Sequence, residues 1–132
     1  MTTYECKTVS VSIDRDWRAV YEFTAHADNL PRWASGLGSG LVKQGEEWRA
    51  EGPDGPIRIR VSAPNALGIA DHWVITAAGV EIAVPIRVMP NGTGAEVALT
   101  LFRQPGMTDE IFARDAAWVA RDLVTLKSLL EA

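Results

Sequence analysis

Cysteine is nearly absent from this chain: Cys6 stands alone, so no disulfide closes within it. Its isolation marks it as a strand residue without chemistry of its own. Histidine is almost as scarce. His26 and His72 cannot make a three-histidine metal site, and no Cys/His set has the spacing of structural zinc, so neither a metal nor another cofactor is expected. Basic excess is missing as well. Thirteen Lys and Arg face 17 Asp and Glu, and the cations are scattered, which argues against nucleic acid as a partner. Long apolar runs are lacking, so no membrane span is expected, and Met1 to Glu5 lack the basic start and apolar core of a signal peptide. The reading is cytoplasmic. Repeats, low-complexity tracts and linkers are absent too, and 132 residues suffice for one core but not two, which gives a single domain over 1–132.

Apolar residues at helical spacing are plentiful near the end. Phe112, Ala116, Val119, Leu123, Leu126 and Leu130 share one face of a helix running from Thr108 to Glu131. Thr108 caps it, Asp109 and Glu110 suit the positive end of its dipole, and Lys127 suits the other. No other helix in the chain is long enough to cover that stripe, so it must lie on a sheet.

Strands are easily found. Tyr4 to Ile13 alternates, with Val9, Val11 and Ile13 on one side. Asp14 then offers an N-cap, with Asp16 in the first turn of a helix that ends near His26, whose cationic form would suit the carbonyl end. A short second helix begins near Asp28 with Pro31 in its first turn and Trp33 behind it, and Gly36, Gly38 and Gly40 end it. Turn chemistry divides the remainder into six strands, at about 39–43, 46–51, 57–63, 69–76, 80–89 and 94–103. Ile57, Ile59 and Val61 alternate with Arg58 and Arg60, and Val97, Leu99 and Leu101 with Glu96 and Thr100, as in an antiparallel sheet covered on one side. Pro85 falls inside an interior strand, where a lost ladder bond is costly, and predicts a bulge.

The segments Val11 to Trp17, Asn29 to Trp33 and Asp122 to Glu131, in this order, resemble the matching stretches of the START-like superfamily, also called SRPBCC, which includes polyketide cyclases and dehydratases. The resemblance implies an α+β helix-grip fold. A seven-stranded curved antiparallel sheet would wrap around the long C-terminal helix, with the two short helices closing one end of a hydrophobic cavity. The superfamily's carriers, cyclases, hormone receptors and chaperone activators share that cavity and little catalytic signature.

Against this frame, Asp71-His72-Trp73 is the one run that joins a carboxylate, an imidazole and an indole. Alternation sends Asp71 and Trp73 to one face and His72 to the other. Ile69 and Ile75 make the Asp71 face the drier one, so Asp71 and Trp73 are expected toward the cavity. Asp71 is then either a ligand-binding or proton-moving acid or the partner of Arg58, Arg60 or Arg87. Glu81 and His72 complete the set of candidate catalytic groups, His72 only in the opposite register. Trp33 and Trp118 either contact a ligand or pack in the core. Arg103, at a strand end, either reaches the rim toward an acidic ligand group or is solvated. Ile59, Val84, Leu99 and Phe112 complete the expected lining.

The first expectation is therefore a binder of an apolar or aromatic small molecule, lipid- or polyketide-like. A cyclase or dehydratase using an ionisable cavity residue is the second, and a chaperone-activator-like interaction module, binding through its outer sheet face, the third. An exposed strand edge or that same face leaves homodimerisation open.

Overall fold

The computed structural model describes residues 2–35, 41–52 and 55–132. The first strand, β1 (Cys6–Ile13), leads into α1 (Trp17–Ala25), a 3-10 turn (Ala27–Asn29) and α2 (Leu30–Trp33). Seven short strands follow: β2 (Val42–Gln44), β3 (Glu47–Gly52), β4 (Gly55–Val61), β5 (His72–Ile75), β6 (Glu81–Val84), β7 (Ile86–Asn91) and β8 (Gly94–Phe102). The chain closes with α3 (Asp109–Glu131). Residues 39 and 40 of the strand expected at 39–43, and the glycines expected to end α2, lie outside the described residues.

All strand pairs are antiparallel, and β1 to β8 form two sheets, ordered β2-β3-β4-β5-β6 and β1-β8-β7. This corrects the single seven-stranded sheet to eight strands in two sheets, and the reason is Pro85. The segment expected as one strand over 80–89 splits there into β6 and β7. No bulge shifts its phase, because Ile82, Val84, Ile86 and Val88 all point inward.

The β5–β6 pairing sets His72 opposite Val84, and the bridge between Ile69 and Arg87 continues in the same register beyond the break. Ala70 N–H donates to Ile86 O at 2.9 Å and Val88 N–H to Gly68 O at 2.8 Å. Asp71 faces the proline in that register. Its Oδ1 accepts the Ile86 N–H at 2.8 Å, and the Arg87 guanidinium donates to the same oxygen. A carboxylate thus supplies the acceptor for the N–H of Ile86, the residue that follows a proline with no N–H of its own.

The apolar face of α3 buries Ala116, Leu123, Leu126 and Leu130 against the inner faces of the strands. Each of the three leucines contributes roughly 2 kcal/mol by leaving water. Thr108 caps the helix by accepting the Ile111 N–H at 3.2 Å. At α1 the cap is Asp16, accepting from Arg18 N, so the helix starts later than a cap at Asp14 implies. Asp14 instead donates its N–H to Glu131 at 2.8 Å, tying the end of β1 to the last turn of α3. His26 Nδ1 accepts the Asp28 N–H and so serves the following turn as a cap, rather than the carbonyl end of α1 as a cation.

The junction between the sheets admits no side chain at Gly68. Its φ is +75°, and a Cβ there would sit 2.0 Å from the Val88 carbonyl oxygen. Gly92 has φ +59° with open space around it. Gly92→Ala is therefore expected to cost about 1 kcal/mol, the price of a left-handed backbone alone, and Gly68→Ala roughly 3 kcal/mol or more. Urea unfolding of the two variants checks the difference.

Candidate functional site

Between the sheets and α3 lies a hollow of about 320 Å³. Its floor comes from inward positions of the strands: Ile57 on β4, His72 and Val74 on β5, Val84 on β6, and Leu99 and Leu101 on β8. Trp33 and Ala34 close it from the end of α2, where Pro31 in the first turn and the Ala34 N–H bonded to Leu30 O (2.7 Å) hold the short helix together. The opposite wall is a second strip of α3, made of Asp115, Trp118, Val119 and Asp122. This 3-1-3 spacing keeps them on one side of the helix, beside the stripe that fills the core.

The strand carrying Asp71-His72-Trp73 faces opposite to the expectation. His72 points in and is 7% exposed, whereas Asp71 and Trp73 point out. Ile75 misled the assignment. It is buried on the outer face, paired in register with Arg58, whose long stem covers apolar surface there. Asp71 takes the ion-pair alternative with Arg87. Trp73 lies under the Arg60 guanidinium, 5.1 Å from its ring centre, and Arg60 pairs with Glu81. All three expected residues, Asp71, Trp73 and Glu81, are thus remote from the hollow.

Of the other residues expected to line it, Trp33, Val84, Leu99 and Trp118 do so. Ile59 is fully buried in the core instead. Arg103 is engaged at the junction of β8 and α3. It donates to Met107 O and pairs with Glu5 at 3.0 Å and Asp109 at 2.6 Å, with Phe112 stacked 5.8 Å from its guanidinium. Neither Arg103 nor Phe112 lines the hollow.

Asp115 and Asp122 were missed. Their seven-residue separation, bracketing Trp118 and Val119, was the available signal. Asp122 is partly buried, and burial pushes its carboxyl above the usual range although Ser35 Oγ donates to it at 2.7 Å. Asp115 pairs with Arg114 at 3.1 Å, and Arg114 stacks over Trp118 at 4.7 Å. For His72, burial outweighs the nearby Asp71 charge and lowers the pKa from 6.5 to about 4, so the ring is neutral at pH 7. It makes no hydrogen bond to any described residue, and the Trp33 indole N–H is buried without a partner among them. Among the described residues, no group of three or more His, Cys, Asp or Glu side chains is placed to hold a metal ion, and no helix is long and apolar enough to cross a membrane.

No protein-family model matches the sequence, and no curated protein matches it. Solved structures do. An uncharacterised protein from Bacillus thuringiensis superposes with a TM-score of 0.75 at 16% identity, over 96% of this chain and 98% of the other. Aha1 from Colwellia psychrerythraea, a dimer in solution, gives 0.71 at 15% identity over 96% of each chain. DynU16, from the dynemicin biosynthetic locus, gives 0.69 at 18% identity, over 96% of this chain and 47% of the other. At such identities the shared property is the fold. Antiparallel sheets gripping a long terminal helix, with two short helices after the first strand, give this chain a helix-grip fold shared with these structures.

Proposed function

We propose that this chain binds an apolar or aromatic small molecule, of lipid or polyketide character, in the hollow between sheet and helix. The observation that carries this reading is the hollow's wall. Side chains from α2, four strands and α3 surround about 320 Å³ that they leave unfilled, and most of that wall is apolar. The hollow opens to solvent, so a guest has a way in, and small-molecule sites begin at roughly 300 Å³. Two indoles, Trp33 and Trp118, supply flat contact area for an aromatic guest. DynU16's place in a biosynthetic locus fits a small-molecule guest.

An enzyme of the cyclase or dehydratase kind would have to find its proton carriers inside this space. Asp71 and Glu81 are tied to arginines on the outer face. His72 and Asp122 remain, and a ring that resists protonation down to about pH 4 is a weak base. For an interaction module, the outer sheet face offers little. Many of its charges are paired with one another, Arg58 with Glu47, Arg60 with Glu81 and Arg87 with Asp71.

A guest held at a hundred times its Kd stabilises the native state by about 2.7 kcal/mol, which for a chain of this size raises the Tm on the order of 10 °C. Differential scanning fluorimetry against a panel of fused-ring aromatics and acyl chains should find such compounds, and they should quench emission from Trp33 and Trp118. Trp118→Leu would then lose part of the quenching. A panel that moves neither Tm nor emission refutes the proposal.

Acid sensitivity gives a second expectation. Because the folded-state pKa of His72 lies below its ordinary value, the unfolded chain takes up that proton first as pH falls. Stability should therefore drop between about pH 6.5 and 4, by about 3 kcal/mol in all. Glu96 and Glu131, whose hydrogen bonds lower their carboxyl pKa values, add their own loss only below about pH 4.5, while Asp122 acts in the opposite sense. His72→Leu should flatten the slope above pH 4.5, as read from urea midpoints across that range.

A further inference from the structure

Resting on the cavity reading above, we infer that the hollow selects guests that are uncharged and carry a hydroxyl or carbonyl for His72, and that it rejects carboxylates. Three observations converge on this. Among the described residues, no Lys or Arg side chain lines the hollow. The sequence from 36 to 40 contains no ionisable residue. Arg103, which could have met an acidic group, is held by Glu5 and Asp109, and Arg114 beside Trp118 is held by Asp115.

The ionisable groups on the wall are themselves acidic or neutral. Asp115 and Asp122 stand on the α3 side, with Arg114 and Arg121 as their near cations, and His72 stands on the sheet side with Asp71 behind it on the other face. A carboxylate entering this space would lose its hydration, meet no Lys or Arg on the described wall and stand near two acids whose neighbouring arginines lie outside the lining. To greet it with a charge, His72 would need a proton that its burial opposes.

His72 is 7% exposed, lines the hollow and has no hydrogen-bond partner among the described residues. A neutral imidazole carries one N–H donor and one bare nitrogen acceptor. A hydroxyl matches both in turn, and a ketone matches the donor. Val74, Val84 and Leu99 on the same wall offer apolar surface. The fitting guest is thus a compact aromatic or aliphatic body with one neutral polar group at its inner end. A free fatty acid is the wrong shape of charge for this pocket.

The test uses three probes of one size: naphthalene, a naphthol and a naphthoic acid, titrated at pH 7.5 by tryptophan quenching and calorimetry. The naphthol should bind at least tenfold more tightly than the naphthoate. His72→Leu should weaken the naphthol roughly threefold to tenfold, the span of one lost hydrogen bond, and leave naphthalene within twofold. His72→Gln, which keeps a donor and an acceptor, should lie between the two. Naphthalene binding to the variants also shows that they are folded. Naphthoate bound as tightly as the naphthol overturns the selection rule while leaving the cavity reading intact. An unchanged naphthol affinity in a folded His72→Leu overturns the assignment of His72. If none of the three probes binds the wild type, the cavity reading itself falls and takes this inference with it.

Discussion

Proline at position 85 cannot donate a ladder hydrogen bond, and the structure is arranged around that constraint. Pro85 sits where the chain passes from β6 in one sheet to β7 in the other. A break there would leave Ile86 N–H unpaired in the interior, at a cost of about 1–3 kcal/mol. Asp71 removes the deficit by lending a carboxylate oxygen, and Arg87 offsets the charge that this brings. The consequence reaches the inner face. With Asp71 committed outward to the ladder, strand alternation leaves its neighbour His72 no choice but to point inward. A polar ring among Val74, Val84 and Leu99 is therefore the by-product of a backbone repair on the opposite side of the sheet.

The long helix meets two demands with two adjoining strips. Leu123, Leu126 and Leu130 are packed to near-zero exposure and hold the helix to the sheets. Asp115, Trp118, Val119 and Asp122, a fraction of a turn away, touch a space left open. Because the anchoring leucines lie mostly in the C-terminal half, the N-terminal half can stand off from the strands without loss of the grip. That end is kept in place by polar means. Arg103 joins β8 to the first turn of α3 through Asp109 and the Met107 carbonyl. Charge pairing there replaces the apolar contacts that a closed core would have supplied.

Much of the architecture was legible from periodicity. The stripe of α3, the alternation of β8 and the cap at Thr108 all follow from residue type and spacing, and the order of elements led to the helix-grip fold. Two things were not legible, for different reasons. Pro85 announced a disturbance, but its outcome depended on which residue lay across from it, and cross-strand register is a tertiary fact. The facing of Asp71 and His72 was misread because Ile69 and Ile75 made their side look dry. Ile75 is indeed buried, on the outer face and in register with Arg58, so burial and inwardness came apart. Asp115 and Asp122 were passed over because acids beside a helical stripe ordinarily mark solvent.

The character of the hollow follows from a contest between burial and Coulomb attraction. At His72 the Asp71 carboxylate favours the protonated ring, yet desolvation is the larger effect and the ring stays neutral. At Asp122 the same burial disfavours the anion, with the Ser35 hydroxyl, the Ser35 backbone N–H and Arg121 opposing it. Both groups are thus pushed toward their uncharged forms by the same apolar surroundings. A site built this way recognises hydrogen-bonding shape rather than charge, since any full charge placed in it meets the penalty its own side chains already feel. The outer face, rich in paired arginines and acids, carries the electrostatics of the molecule, and the sheet keeps the two environments one side chain apart.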